Sequence, residues 1–251
     1  MTGRTDFLGC PIDSTTLPET VERCVAWCRD DAPTRILITV NVAILMMMRK
    51  DPALRAACRA GDMIVPDGMP VVWASRLVGH PLAGRVAGVD LMQALLERGD
   101  RERLKVYFLG ARQHVLDRLK ALCATRYPGL IVAGARNGYF SEEEHEDVVR
   151  DIRESGADIL FIGMPTPFKE VWAQRHRDAL GVSLVLGVGG SFDVLAGFVR
   201  RAPLWMQRSG TEWLWRLLME PRKMWRRYLV TNSQFFVALA RELWRQRLTP
   251  H

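Results

Sequence analysis

The sequence predicts an α/β fold: Rossmann-like parallel strands with helices on both faces, followed by a helical, basic C-terminal appendage. Three observations predict this fold. Short β-rich runs alternate with helical segments through the middle of the chain, which is typical of βαβ units. Helix-starting residues follow several of these runs. From Pro203 onward the chain has a helical pattern with Arg, Leu and Trp interleaved.

Six apolar runs are predicted to be strands. Each is short, rich in β-branched or aromatic residues, and ends at a glycine, a proline or a polar residue. They span residues 35–39, 63–65, 104–109, 130–133, 158–162 and 183–186. Ligands of open α/β sheets bind outside the carboxyl ends of the strands, so the residues just after each run are the first candidates for a site.

Helix starts are marked by capping residues between the predicted strands. Asp51 is a predicted N-cap before Pro52. Residues 141–144 form a capping box that begins a helix ending near residue 155. Thr166, followed by Pro167, is predicted to cap the next helix.

The chain is predicted to have two parts. Residues 1–202 form an α/β catalytic core, with a possible subdomain boundary near 99–103. Residues 203–251 form the appendage, in which Pro221 begins a final long helix. The oligomeric state, including a homo-oligomer, stays open.

Positive charge is concentrated in the appendage. The net charge is +7, yet residues 200–251 carry 11 Lys and Arg against 3 Glu, and five of the eight Trp residues. Basic residues attract anionic headgroups and Trp prefers the membrane interface, so this segment predicts contact with an anionic membrane surface. A packed terminal helix with a solvated basic face is the alternative. Nucleic acid is not expected, because no recognised binding module is present.

No apolar run is long enough to span a bilayer, and the N-terminus lacks the basic start and apolar core of a signal peptide. We therefore expect a peripheral protein on the cytoplasmic face of the inner membrane. No DxD motif occurs, the histidines are scattered, and no metal site or cofactor is predicted.

Polar residues after the first strands are the leading candidates for catalysis. Asp67, between Pro66 and Gly68, is either a turn aspartate or a general base at the ligand edge. Thr39 and Asn41 either cap the next helix or contact a ligand. Arg85 lies in a glycine-flanked loop, where its guanidinium group suits a diphosphate, although a solvated surface role is equally open.

Glycine turns follow the later strands, where backbone N–H groups can face phosphate. Gly110 and Gly163 end two strands, and a third turn spans residues 187–190. This third turn is not a dinucleotide fingerprint, because Phe192 stands where GxGxxG requires a small residue. A dehydrogenase is therefore a weaker alternative.

Many short segments together resemble the WecG/TagA/CpsF family of glycosyltransferases, from about residue 36 to 229. The matching stretches are residues 39–41, 66–68, 85–88 with Asp90, 108–110, 163–165 with Glu170, 187–193, 201–203, 212–213, 216–217, 220–221 and 226–229. No single motif is specific for the family, but this many motifs in the same order are.

The resemblance implies an inverting, metal-independent transfer from a UDP-sugar to a polyprenyl-diphosphate-linked sugar. It implies that Asp67 is the base, that Thr39 and Asn41 line the pocket, and that Arg85 holds the departing diphosphate. Further candidate substrate-binding residues are Asp90, Gly110, Gly163, Pro165, Lys169, Glu170, Gly187, Gly189, Gly190 and Asp193. Candidate diphosphate or membrane contacts in the appendage are Arg208, Arg216 and Arg222.

One segment departs from the family pattern. The family shows Gly-x-Pro-x-Gln-Glu, whereas this segment is two residues longer and has Lys169 where Gln would fall. This variant is similar to GumM-type exopolysaccharide enzymes, which implies glucose as the donor sugar. The remaining alternative is a non-catalytic membrane scaffold.

Overall fold

A computed structural model describes residues 3–30, 32–219 and 221–248, apart from the side chains at positions 208, 216, 221–224, 226–228, 247 and 248. The predicted α/β fold is confirmed: six parallel strands form one sheet in the order β4-β3-β8-β7-β5-β6, and an antiparallel hairpin, β1-β2, precedes it. The strands are β1 (Arg4–Phe7), β2 (Cys10–Asp13), β3 (Arg35–Val40), β4 (Met63–Pro66), β5 (Lys105–Gly110), β6 (Ile131–Arg136), β7 (Ile159–Gly163) and β8 (Leu184–Gly187).

Helices follow nearly every strand of the sheet. They are α1 (Leu17–Trp27), α2 (Val42–Met48), α3 (Pro52–Arg59), α4 (Met69–Leu77), α5 (Gly88–Glu102), α6 (Gln113–Arg126), α7 (His145–Glu154), α8 (Phe168–His176), α9 (Ser191–Leu195), α10 (Leu204–Arg208), α11 (Glu212–Met219) and α12 (Pro221–Leu248). Among the described residues, no helix is both long and apolar enough to cross a membrane.

The sheet separates two hydrophobic cores. Successive side chains of a strand point to opposite faces, so Ile36 and Ile38 of β3 pack with α2, α3 and α8, whereas Leu37 packs with α1, α5 and α6. Both faces are covered, which explains why the strands are almost continuously apolar.

The N-terminal hairpin was not predicted, because its strands are short and partly polar. It lies beside β4, which is an edge strand of the sheet. Asp13 Oδ2 accepts a hydrogen bond from Ile64 N at 2.7 Å and pairs with Arg4 Nη2 at 2.9 Å. A buried carboxylate thus satisfies an edge N–H group and protects this edge from further pairing.

The appendage packs directly on the core. One face of α12 buries Phe235, Ala238 and Leu239 against α2, and Gln246 Nε2 donates to the carbonyl of Val78 at 3.0 Å. Residues 99–103, where a subdomain boundary was expected, lie at the C-terminal end of α5, and strands on both sides of it in the chain belong to the same sheet.

Candidate active site

Asp67 and Thr39 meet at the carboxyl ends of two neighbouring strands. The backbone N–H of Asp67 donates to the carbonyl of Val40 at 2.8 Å, which continues the β3–β4 pairing. A Cβ atom placed on Gly88 would lie 3.7 Å from Thr39 Oγ1 and 3.9 Å from Asp67 Oδ2. The hydroxyl and the carboxylate therefore converge beside the first residue of α5, where glycine leaves room.

Asn41 caps α2. Its Oδ1 accepts a hydrogen bond from Ile44 N at 3.1 Å, so the capping interpretation applies to this residue, and a contact with substrate stays a prediction. Thr39 lies inside β3 and is 7% exposed, so it does not act as the cap.

Arg85 belongs to a network of four charged residues, here called the arginine cluster: Arg85, Asp90, Arg201 and Glu212. Arg85 Nη1 donates to Glu212 Oε2 at 2.9 Å, and Arg85 Nη2 donates to Asp90 Oδ2 at 3.2 Å. Arg201 Nη2 lies 2.6 Å from Asp90 Oδ1. Arg85 is therefore held between two carboxylates rather than fully solvated.

The arginine cluster lies close to Asp67. The backbone N–H of Val86 donates to the carbonyl of Pro66 at 2.8 Å, which fixes the loop of Arg85 at the end of β4. Sequence reasoning included Arg201 and Glu212 only in matched stretches and gave them no role. Their contacts place them in the cluster: Glu212 accepts from Arg85, and Arg201 pairs with Asp90.

The glycine turns lie over the centre of the sheet. A Cβ atom on Gly110 (φ +123°) would lie 2.6 Å from the carbonyl carbon of its strand partner Gly163, so only glycine fits at position 110. The N–H groups of Ala111 and Gly189 donate to the carbonyls of Gly163 and Ile162. These two amides are used in hydrogen bonds to neighbouring strands, and the phosphate contacts predicted for the turns stay predictions.

Lys169 and Glu170 form a pair beneath the turn after β8, here called the buried pair. Lys169 Nζ contacts Glu170 Oε1 and donates to Thr166 Oγ1 at 2.8 Å, and this hydroxyl donates to Glu170 Oε1 at 2.9 Å. A Cβ atom on Gly187 would lie 3.1 Å from Lys169 Cδ. The prediction that Thr166 caps the helix is wrong: α8 begins at Phe168 after Pro167, and the Thr166 hydroxyl faces the buried pair instead.

Of the remaining predicted residues, three lie near the carboxyl ends of the strands, and the side chains of the other three are not described. Pro165 is exposed beyond β7, and Gly190 stands directly before α9. Asp193 lies in the first turn of α9, where its carbonyl accepts from the N–H groups of Phe198 and Val199. The side chains of Arg208, Arg216 and Arg222 lie outside the described residues.

The strand order arranges these groups into one continuous edge. Asp67 follows β4, Asn41 follows β3, and the glycine turns follow β8, β7 and β5. Neighbouring strands lie about 4.8 Å apart, so the edge from β4 to β5 is roughly 20 Å long. Within the described part of the chain, no group of three His, Cys, Asp or Glu residues is placed to hold a metal ion.

Comparison with known proteins identifies the family. Residues 5–249 match the family described as "Glycosyl transferase WecG/TagA/CpsF family". The chain is 34% identical over 215 residues to an N-acetylglucosaminyldiphosphoundecaprenol N-acetyl-beta-D-mannosaminyltransferase of Bacillus spizizenii, covering 86% of this chain and 82% of that protein. A protein of the same name from Staphylococcus aureus is 30% identical over 96% of this chain and 94% of its own length. The match over residues 5–249 and these identities show that this chain, with its parallel α/β sheet, belongs to the WecG/TagA/CpsF family of glycosyltransferases.

Proposed function

We propose that the chain transfers a hexose from a uridine-diphosphate donor to a polyprenyl-diphosphate-linked sugar during synthesis of a cell-surface glycan. Asp67 takes the proton of the acceptor hydroxyl, and the hydroxyl oxygen attacks the anomeric carbon of the donor. The attack comes from the face opposite UDP, which leaves with the electrons of the broken bond, so the anomeric configuration inverts. The supporting observation is the convergence of Asp67 Oδ2 and Thr39 Oγ1 beside Gly88.

The leaving diphosphate needs positive charge as the bond breaks. Arg85 supplies it in this proposal, because a guanidinium fork matches two phosphate oxygens and its loop is attached to the strand that carries Asp67. Preorganised charge of this kind stabilises the transition state without reorganisation. The proposed transfer uses no divalent ion, so EDTA should leave turnover unchanged.

The names of the relatives indicate which donor sugar to test first. The proteins from Bacillus spizizenii, Bacillus subtilis and Staphylococcus aureus are all named as N-acetylmannosaminyltransferases that act on N-acetylglucosaminyldiphosphoundecaprenol. UDP-N-acetylmannosamine with this acceptor is therefore the first pair to test. UDP-glucose is the second, because Lys169 departs from the family pattern as GumM-type enzymes do.

Asp67→Asn tests the proposed base. We expect kcat to fall about 10²–10⁴-fold, since this is what a positioned base contributes, while UDP affinity and the thermal unfolding temperature stay near wild type. The measurement is UDP release from a panel of UDP-sugars with a lipid-diphosphate acceptor. Asp117→Asn, in an exposed i,i+3 pair with Lys120, is the matched control. Turnover of Asp67→Asn within threefold of wild type would contradict the assignment of Asp67 as the base, and absence of UDP release by wild type with every tested pair would favour the scaffold.

Membrane contact is proposed for the outer face of the appendage. The side chains of Trp205, Phe236 and Trp244 are 66%, 68% and 67% exposed, in the segment that carries the excess positive charge. Such exposed apolar groups beside basic residues suit an interfacial helix. The core-facing side of α12 bears Phe235 and Leu239, so the packed-helix interpretation holds for one face and the membrane proposal concerns the other.

Point substitutions test this contact better than truncation, which would uncover α2. The double variant Phe236→Ser/Trp244→Ser should lose flotation with phosphatidylglycerol vesicles at low and moderate salt. Tyr139→Ser removes an aromatic ring that is 72% exposed outside the appendage and serves as the control. Equal flotation of the double variant and wild type would exclude this face as the contact.

A further inference from the structure

The two arginines of the arginine cluster share the same two carboxylates, those of Asp90 and Glu212. Each carboxylate faces both arginines: Asp90 Oδ2 accepts from Arg85 and its Oδ1 lies 2.6 Å from Arg201 Nη2, while Glu212 Oε2 accepts from Arg85 and its Oε1 lies 3.8 Å from Arg201 Nε. Two guanidinium groups are thereby held side by side. Their side chains keep 17% and 22% exposure, so both arginines are partly open to solvent although individual atoms are buried.

Arg201 is the less satisfied of the two arginines. Its Nε and Nη2 are buried and have no hydrogen-bond partner among the described residues. The 2.6 Å contact with Asp90 lacks hydrogen-bond alignment, and Glu212 lies beyond hydrogen-bond distance from Nε at 3.8 Å. Buried donors of a charged group cost free energy when unbonded, so Arg201 has donors available for an anion with better-placed oxygens.

The position of the cluster points to the anion. The loop of Arg85 is bonded to the end of β4 and leads directly to Gly88, next to Asp67. Glu212 is the first residue of α11 and follows Gly210 closely in the chain. Gly210 packs tightly against α4, since a Cβ atom placed on it would lie 2.5 Å from Met69 Cβ. Both sides of the cluster therefore border the site at which the donor diphosphate would leave.

We propose that Arg201 is a second diphosphate-binding residue beside Arg85, and that the Glu212 carboxylate competes with the diphosphate for the two arginines. This inference rests on the proposed function. A diphosphate offers several oxygens to two adjacent guanidinium forks and replaces the carboxylate oxygens of Glu212. Release of Glu212 then loosens the contact between α11 and the core while the diphosphate is bound.

The test compares two substitutions that have opposite expected signs. Arg201→Gln removes a phosphate contact and should weaken UDP binding about 10- to 100-fold, as expected for charged hydrogen bonds. Glu212→Gln removes the competitor and should tighten UDP binding, by up to about fivefold for a partly exposed pair. Isothermal titration calorimetry on the full-length protein measures both, with UDP and with inorganic pyrophosphate as probes.

Arg98→Gln is the matched control, because Arg98 also lies between two glutamates, Glu22 and Glu102, but near the other end of α5. It should leave both affinities unchanged. Arg201→Lys keeps the charge and loses the fork, so it should fall between wild type and Arg201→Gln. Thermal unfolding checks that every variant is folded. If Arg201→Gln is not folded, the affinities of Arg201→Lys are compared with wild type instead.

The outcomes separate this inference from the donor assignment. If wild type binds pyrophosphate but not UDP, the uridine donor is wrong and the pyrophosphate series still tests Arg201. Unchanged affinities in Arg201→Gln and Arg201→Lys would overturn the inference, as would failure of wild type to bind either probe. If Arg201→Gln and Glu212→Gln both weaken binding, the cluster is a structural clasp and Glu212 is not a competitor.

Discussion

Two clusters of paired positive and negative side chains lie beside the proposed site, and they differ in their access to water. The side chains of the buried pair, Lys169 and Glu170, are 7% and 2% exposed. Those of the arginine cluster are 16–26% exposed. The first lies under the sheet edge between α8 and β8, and the second lies where the appendage meets α5.

This difference in exposure determines what each cluster can do. A buried ion that loses its partner keeps its desolvation cost, so the buried pair cannot exchange partners without a large penalty. A partly exposed pair contributes less and can exchange its carboxylate for another anion more easily. This contrast is consistent with the proposal that the arginine cluster binds ligand, and it predicts that the buried pair mainly holds α8 beneath Gly187.

Lys169→Met should have the largest effect on stability. It leaves the Glu170 carboxylate buried with Thr166 as its hydrogen-bonding partner, and breaking such a pair costs about 3–5 kcal/mol. Urea denaturation gives the free energy of unfolding. The control is Lys169→Met/Glu170→Leu, which removes both charges and should recover most of the loss. A cost below about 1 kcal/mol for the single variant would mean that this pair is effectively solvated.

Glu212→Gln should cost much less. Removing one partner of a partly exposed ion pair should lower the free energy of unfolding by about 1 kcal/mol, and the loss should shrink at high salt because solvent-accessible charges are screened. The same urea experiment at low and high sodium chloride measures it. A loss equal to that of Lys169→Met would remove the distinction between the two clusters.

The smallest effect should be a pH dependence at the far end of α8. Burial lowers the pKa of His176 from 6.5, the charges of Arg175 and His145 lower it further, and Glu146 opposes them. The unfolded chain then takes up a proton near pH 6.5 more readily than the folded chain, so this contribution to stability is full above about pH 6.5. It is lost as the pH falls through the lowered folded pKa.

His176→Gln checks this pH dependence. The fall in thermal unfolding temperature between pH 7.5 and pH 5.5 should be smaller in the variant than in wild type. If both proteins lose the same number of degrees, His176 is not responsible for acid sensitivity. His114→Gln, at an exposed position of α6, gives the control for removing a histidine.

Local patterns in the sequence were sufficient to predict the sheet and part of the site. The six apolar runs correspond to the six parallel strands, because helices cover both faces of the sheet and favour apolar residues there, although the edge strand β6 is only partly buried. Asp67 and Thr39 could be grouped in advance, since parallel strands end at the same edge. The hairpin at Arg4–Phe7 and Cys10–Asp13 escaped prediction, because its strands are short and its key contact, from Asp13 to Ile64, is distant in sequence.

The role of Glu212 was missed because its partner is far away along the chain, whereas Thr166 and Asn41 were decided by contacts only three or four residues away. Glu212 is 127 residues from Arg85, and no spacing rule connects them. Thr166 looked like a helix cap, and only the neighbouring Lys169 and Glu170 show why its hydroxyl turns inward. The capping of α2 by Asn41 was an open alternative that a local contact decided.

The sequence by itself determined the α/β class, the six strands, the family and the placement of Asp67 at a strand end, because these depend on residue order and local periodicity. The tertiary structure decided which charges are paired, how deeply they are buried and that the appendage lies against α2 and α4. Such properties depend on contacts between residues far apart in the chain, and on the water that those contacts exclude.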